Sequence, residues 1–207
     1  MTEHFAMPTL ADFENAAPIV SRVARNTPLE SSRYLAEMLG VPKVYLKCEN
    51  LQRTGSFKPR GAYLRISRLS ADERARGVVA ASAGNHAPGV AWSATELGTT
   101  ARVYMPTGAS LPKIAATKAY GAEVVLAGET VDDALVEAQR YADRTGAVLI
   151  HPFDHLDIVA GQATVGTEIL EQMPDVTTIV VPLGGGGLLA GVAAAVRASR
   201  PDVRVIG

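Results

Sequence analysis

Cysteine is almost absent from this 207-residue chain: Cys48 stands alone, so neither an intrachain disulfide nor a thiolate metal cluster can form. Its expected place is a buried small position on a strand. Aromatic residues make up only 5%, and 20 basic residues balance 21 acidic ones. Without a basic stripe interleaved with aromatics, no nucleic-acid partner is expected. No stretch approaches the roughly 20 apolar residues that span a bilayer, so no membrane partner is expected either. Met1–Pro18 carries Glu3, Asp12 and Glu14 and lacks a basic segment leading into an apolar run, unlike a secretory signal. The expectation is a cytoplasmic protein. Of the four histidines, His151 and His155 lie four apart, but Pro152 falls between them and no third ligand follows at helical spacing. No metal site is expected.

Hydrophobic residues, at 47%, are ample for a packed core. After Gly40, β-branched runs alternate with helical segments: Val44–Cys48, Val78–Ser82, Arg102–Met105, Glu123–Leu126, Val148–Ile150, Thr178–Leu183 and Val203–Ile206. This alternation predicts βαβ units and parallel sheets. Between them, Thr130 with Asp133 predicts a capped helix whose apolar face is Val131, Ala134, Leu135, Ala138, Tyr141 and Ala142, stopped at Gly146. Ser70 with Glu73 predicts a short helix ending before Gly77, and Ser110 with Pro112 one ending before Gly121. The final run to Gly207 reads as a strand with no crossover after it, as if the chain were cut within a domain. Half a core would leave apolar surface exposed.

Three glycine-containing segments carry the chemistry. The first is Gly55-Ser56-Phe57-Lys58-Pro59-Arg60-Gly61-Ala62. Only five lysines occur, and Lys58 alone is framed by an aromatic, a proline and small residues. Pro59 suits a first helical turn, which puts Lys58 at the positive end of a helix. Helix dipole and partial burial both lower an amine's pKa, as Schiff-base chemistry requires; an ordinary exposed lysine beside a helix start has the same local sequence. The second segment is Ser82-Ala83-Gly84-Asn85-His86-Ala87, between an apolar strand and the helix that carries Val90, Trp92 and Leu97. Its backbone N–H groups and the Ser82 hydroxyl suit a carboxylate, and Asn85 can donate to a phenolate oxygen. The alternative is a plain strand-to-helix turn with Asn85 as cap and His86 solvated. The third is Gly184-Gly185-Gly186-Gly187-Leu188, before an alanine-rich helix. Successive glycines let amides curl around a phosphate at a helix N-terminus. The run lacks both the Walker ending and the dinucleotide spacing, so a phosphate without a nucleotide is the better fit, with a flexible loop as the alternative.

In this order the segments resemble the fold-type II pyridoxal-phosphate enzymes, and within them the threonine ammonia-lyases. Asn26-Thr27-Pro28-Leu29, Lys47-Cys48-Glu49-Asn50-Leu51-Gln52, His151-Pro152-Phe153-Asp154 and Gly161-Gln162 extend the likeness over nearly the whole chain. The resemblance implies an α/β fold like that of the tryptophan synthase β chain, with two parallel-sheet domains: residues 1–52 with 151–207 as a larger, incomplete one and 53–150 as a smaller inserted one. It implies pyridoxal 5′-phosphate as cofactor, held covalently by Lys58, with Phe57 against it, Asn85 on its 3′-hydroxyl and Gly184, Gly185, Gly186, Gly187 and Leu188 around its phosphate. Ser82, Ala83, Gly84, Asn85 and His86 would bind the carboxylate of an amino-acid substrate, threonine or serine. The serine that racemases of this group use as a second acid/base falls at Ala83 here, so elimination is implied over racemisation. Pro88 replaces the family's usual glutamine. Further site residues would lie beyond Gly207, and the full-length protein would be a homo-oligomer. Serine racemase or serine dehydratase is the alternative within the group, and an inactive truncated fragment or pseudoenzyme serving only as a binding partner is the alternative outside enzymes.

Overall fold

Thr9 opens the described chain, residues 9–207 of a computed structural model, as the cap of α1 (Leu10–Val20). The first eight residues of the segment read for a signal lie outside it. The chain continues through β1 (Leu29–Ser31), α2 (Arg33–Leu39) and β2 (Tyr45–Lys47) into two 3-10 turns, Glu49–Leu51 and Arg53–Gly55. α3 (Lys58–Ser67) and α4 (Ala71–Arg76) then lead into alternating elements: β3 (Val78–Ala81), α5 (His86–Glu96), β4 (Ala101–Met105), α6 (Leu111–Ala119), β5 (Glu123–Leu126), α7 (Val131–Thr145) and β6 (Val148–Leu149). α8 (Leu156–Gln172), β7 (Thr178–Val180), α9 (Gly187–Ser199) and β8 (Arg204–Ile206) complete it.

Two of the three expected helix starts are capped as read, while Ser110 precedes α6 without a side-chain cap bond. The Ser70–Glu73 and Thr130–Asp133 pairs each make both bonds of a capping box, and Gly146 ends α7 in the left-handed conformation, which a residue without Cβ adopts at no steric cost. The buried stripe of α7 is narrower than the predicted face: Ala134, Ala138 and Ala142 are buried, whereas Val131 is exposed.

The strands between Val78 and Leu149 form one parallel sheet, ordered β5-β4-β3-β6. Its central strands are buried on both faces, and the two-residue period of a strand assigns alternate side chains to opposite cores. Val78, Ala80, Val103 and Met105 meet α3 and α5 through Ala62, Ile66, Ala87 and Val90. Val79, Ala81 and Tyr104 meet the alanine stripe of α7. β7 and β8 also pair in parallel, against α8 and α9.

One pairing departs from the parallel pattern. The run from Val44 supplies β2, but β2 pairs antiparallel with β1, a three-residue strand at Leu29–Ser31 that no alternation marked. Cys48 lies just past β2 and is half-buried, not on a strand in the core.

Two helix junctions are closer than side chains allow. A Cβ on Gly161 of α8 would lie 2.5 Å from the Gly61 Cα and 2.6 Å from the Arg60 carbonyl of α3. A Cβ on Gly191 of α9 would lie 2.5 Å from the Val159 carbonyl of α8. Beside the first junction, Arg60 is fully buried and all its donors are engaged. Its guanidinium bonds both oxygens of Glu49 (2.8 Å each) and of Glu168 (2.6 and 2.9 Å), the Thr164 hydroxyl (3.0 Å) and the Arg25 carbonyl (3.2 Å). Lys47 joins at 2.6 Å from Glu168, so two cations face two carboxylates.

Apolar side chains are exposed on and after α2, at Tyr34, Met38, Leu39 and Val41, and around β7, at Val180 and Leu183. A groove of about 700 Å³ runs between β2 and β7. None of the described helices is long and apolar enough to cross a membrane.

Candidate active site

Lys58 is the first residue of α3, with Pro59 in the first turn as the sequence predicts. Its amine is half-buried, and Nζ donates to the Pro152 carbonyl at 2.7 Å. Among the described residues no carboxylate lies within ion-pair reach of it. Burial alone lowers its pKa, to about 8, because little water is left to solvate the charge. Phe57 lies beside it, with Nζ 5.3 Å from the ring centroid. The first turn of α5 comes close: a Cβ on Gly89 would sit 3.1 Å from the Lys58 Cβ. Pro88 is accommodated within that first turn, where a missing N–H costs least.

The second segment joins the C-terminal end of β3 to α5. Ser82 is buried, and its hydroxyl accepts the Gly84 N–H at 3.0 Å, closing the turn; Ala83 and Gly84 are half-buried. Asn85 is exposed and does not cap α5 with its side chain; Oδ1 accepts from Lys113 Nζ at 2.5 Å. His86 is buried rather than solvated. Its Nε2 lies 2.8 Å from the Ile150 carbonyl, and since a carbonyl only accepts, Nε2 carries the proton. The imidazole therefore faces the end of β6, and what His86 offers the loop is its backbone.

Burial pushes the His86 pKa down to about 3, with the nearby Lys58 charge adding to the effect. Unfolding lets the imidazole take up a proton below its ordinary value of 6.5, so stability is lost as pH falls from there toward 3, by up to about 1.4 kcal/mol per pH unit. Denaturant titrations across this range should show that slope, and His86→Gln, which cannot titrate, should flatten it. An unchanged slope in the variant would assign the acid lability to other groups.

Gly184, Gly185 and Gly186 lead into α9, which begins at Gly187 and Leu188. Gly186 has φ +88°, a conformation few other residues adopt, and empty space surrounds the Cβ positions of Gly184 and Gly186. The ring of Phe153 packs directly on Gly185, and Gly187 approaches the Phe153 backbone. An open glycine turn at a helix N-terminus suits a phosphate, and the unpaired, half-buried amine of Lys58 suits a carbonyl carbon. The residues present thus fit a phosphorylated aldehyde.

The sequence marks His151-Pro152-Phe153-Asp154 only as part of the family likeness, and not that the segment Ile150–Phe153 ties these parts together. That segment receives His86 at Ile150 and Lys58 at Pro152, and lays Phe153 on the glycine run. His151 Nδ1 accepts the N–H groups of Phe153 (3.3 Å) and Asp154 (2.8 Å), and His155 caps α8 by accepting the Asp157 N–H. Both histidines are therefore occupied in shaping backbone. Carbonyl partners have no residue signature, so no local signal could have disclosed Pro152 as the acceptor for Lys58.

A family model described as pyridoxal-phosphate dependent enzyme matches residues 20–207. An L-threonine ammonia-lyase of Thermotoga maritima is 50% identical over 201 residues, covering 97% of this chain and 50% of that protein. Among solved structures, maize serine racemase superimposes with a TM-score of 0.93 at 36% identity, covering 97% of this chain and 60% of the other. The processed form of threonine deaminase isoform 2 from Solanum lycopersicum gives 0.89 at 40% identity, covering 98% and 57%. The chain spans about half the length of the relatives it matches.

Proposed function

Because this chain belongs to the family of pyridoxal-phosphate dependent enzymes, we propose that it forms the cofactor-anchoring part of a lyase that converts L-threonine to 2-oxobutanoate and ammonia, with L-serine as a second substrate. The single observation that carries this reading is Lys58: a half-buried amine without a carboxylate partner, set beside both the Ser82–His86 turn and the segment that abuts the glycine run. The 50% identity to an L-threonine ammonia-lyase supports the choice of reaction.

Bound pyridoxal phosphate supplies a ring that takes up the electron pair left on the substrate α-carbon when its proton departs. Lys58 Nζ would hold the cofactor covalently, the amides of Gly184 to Leu188 its phosphate, and the Asn85 carboxamide its 3′-oxygen, with Phe57 alongside. The Ser82–His86 turn would fix the substrate carboxylate through backbone N–H groups, which orients the α-hydrogen toward Lys58. With its amine free, Lys58 Nζ would accept that proton, and the Pro152 carbonyl would stabilise the ammonium that results. Residues 1–52 with 151–207 and residues 53–150 are proposed as the two units flanking this site. The grouping of β3 to β6 in one sheet supports that division.

The same reading predicts an unusual pH dependence. With a pKa of about 8, roughly a quarter of Lys58 is neutral at pH 7.5, against roughly a thousandth of an ordinary lysine. Borohydride trapping of pyridoxal phosphate should therefore map to Lys58 and rise with a midpoint near pH 8. Trapping spread over surface lysines, with no midpoint below 10, would defeat the assignment. A serine racemase is the second reading, favoured by the maize structure. Ala83 offers no acid or base, which supports elimination, and the chirality of recovered serine separates the two.

A further inference from the structure

Asn85 has two chemically opposite ends, and one of them is already taken. Its carboxamide oxygen accepts from Lys113 Nζ at 2.5 Å. An ammonium has hydrogens to give and no lone pair, so it pairs only with the oxygen end, and the NH2 end is turned the other way. No competing bond pulls the side chain back, because Asn85 precedes α5 without capping it. Lys113 is well mounted for this task in the first turn of α6. Its N–H bonds the Ser110 carbonyl at 3.0 Å, and its carbonyl accepts from the buried Thr117 hydroxyl at 2.7 Å. The start of α5 in turn lies against Lys58 through Gly89.

Resting on the reading that Lys58 carries pyridoxal phosphate, we propose that Lys113 is a positioning residue that locks the Asn85 carboxamide with its NH2 end toward the cofactor's 3′-oxygen. A carboxamide locked this way favours the phenolate form of that oxygen. Without Lys113 the group is free to turn and present its own lone pairs, which favours the protonated form. Lys113 acts through Asn85 alone and needs no contact with substrate or cofactor.

The test is the absorption spectrum of the pyridoxal-phosphate-loaded chain, where phenolate and protonated forms absorb in the visible and the near ultraviolet respectively. Lys113→Met should shift the ratio of the two bands by about tenfold toward the ultraviolet, the equilibrium worth of one hydrogen bond to a charged oxygen. Lys113→Arg, still a donor without acceptors, should keep the original ratio. In an Asn85→Ala background, Lys113→Met should change the ratio no further, because the two residues act in series. A Lys113→Met protein with altered melting temperature but unaltered bands would overturn the proposal, as would a band shift that persists without Asn85. Absence of any Lys58 adduct in the unsubstituted chain would remove the role of Lys58, and that of Lys113 with it. An adduct with unchanged bands removes the role of Lys113 only.

Discussion

Lys58→Ala should abolish the borohydride-stable adduct with pyridoxal phosphate and lower any ammonia release by at least about a thousandfold, since in the proposed function one amine both anchors the cofactor and moves the α-proton. The fold should survive this change. Lys58 sits half-buried with a single hydrogen bond, to the Pro152 carbonyl, so its removal leaves no charged partner stranded. Lys58→Arg is the informative companion: it keeps a cation near Pro152 but offers no neutral amine at any working pH. It should be as inactive as the alanine variant. Peptide mapping after reduction, together with assay of 2-oxoacid from threonine, reads both outcomes. An adduct that forms on another lysine in Lys58→Ala, with turnover retained, would displace Lys58 from its role.

Arg60→Met should cost about 3–5 kcal/mol, because it strips a fully buried guanidinium from two carboxylates that have little water to turn to. Glu168 would keep Lys47 at 2.6 Å, but Glu49 would keep only the Thr27 hydroxyl, also at 2.6 Å. Given the usual total stability of about 5–15 kcal/mol, many molecules would fail to fold. Equilibrium denaturation measures the loss directly. Adding Glu49→Gln and Glu168→Gln to Arg60→Met should recover part of it, since an uncharged cluster is cheaper to bury than a broken ionic one. A single variant that loses less than about 1 kcal/mol, the scale of an exposed pair, would mean the cluster is not what secures α3.

How much of this was legible in the sequence depended on the range of the signal. Elements with local punctuation were placed closely: Ser70 and Gly77 bracket α4, Thr130 and Gly146 bracket α7, and the β-branched runs supply β3 to β8. β1 went unread because three largely exposed residues have no periodicity to detect. The chemistry-bearing segments were also legible, since glycine runs and a proline beside a lysine are local features. Their partners were not. Lys58 meets a carbonyl 94 positions away, His86 one 64 positions away, and Asn85 an amine 28 positions away. His86 is a case in point: its backbone belongs to the turn after β3, but no local signal showed that its ring is buried against the end of β6.

The glycine junctions between α3, α8 and α9 bear on how such a protein can change over evolutionary time. Peptide groups set these spacings, so the interval from the lysine-bearing helix to the helix that follows the glycine run is a fixed gauge, insensitive to which side chains fill the surrounding core. Substitutions that would tune it are blocked, because even a methyl at Gly161 or Gly191 collides with backbone. The turn after β3 and the first turn of α6, by contrast, are joined by a side-chain contact, Lys113 to Asn85, so their spacing answers to substitution where that of the three helices does not.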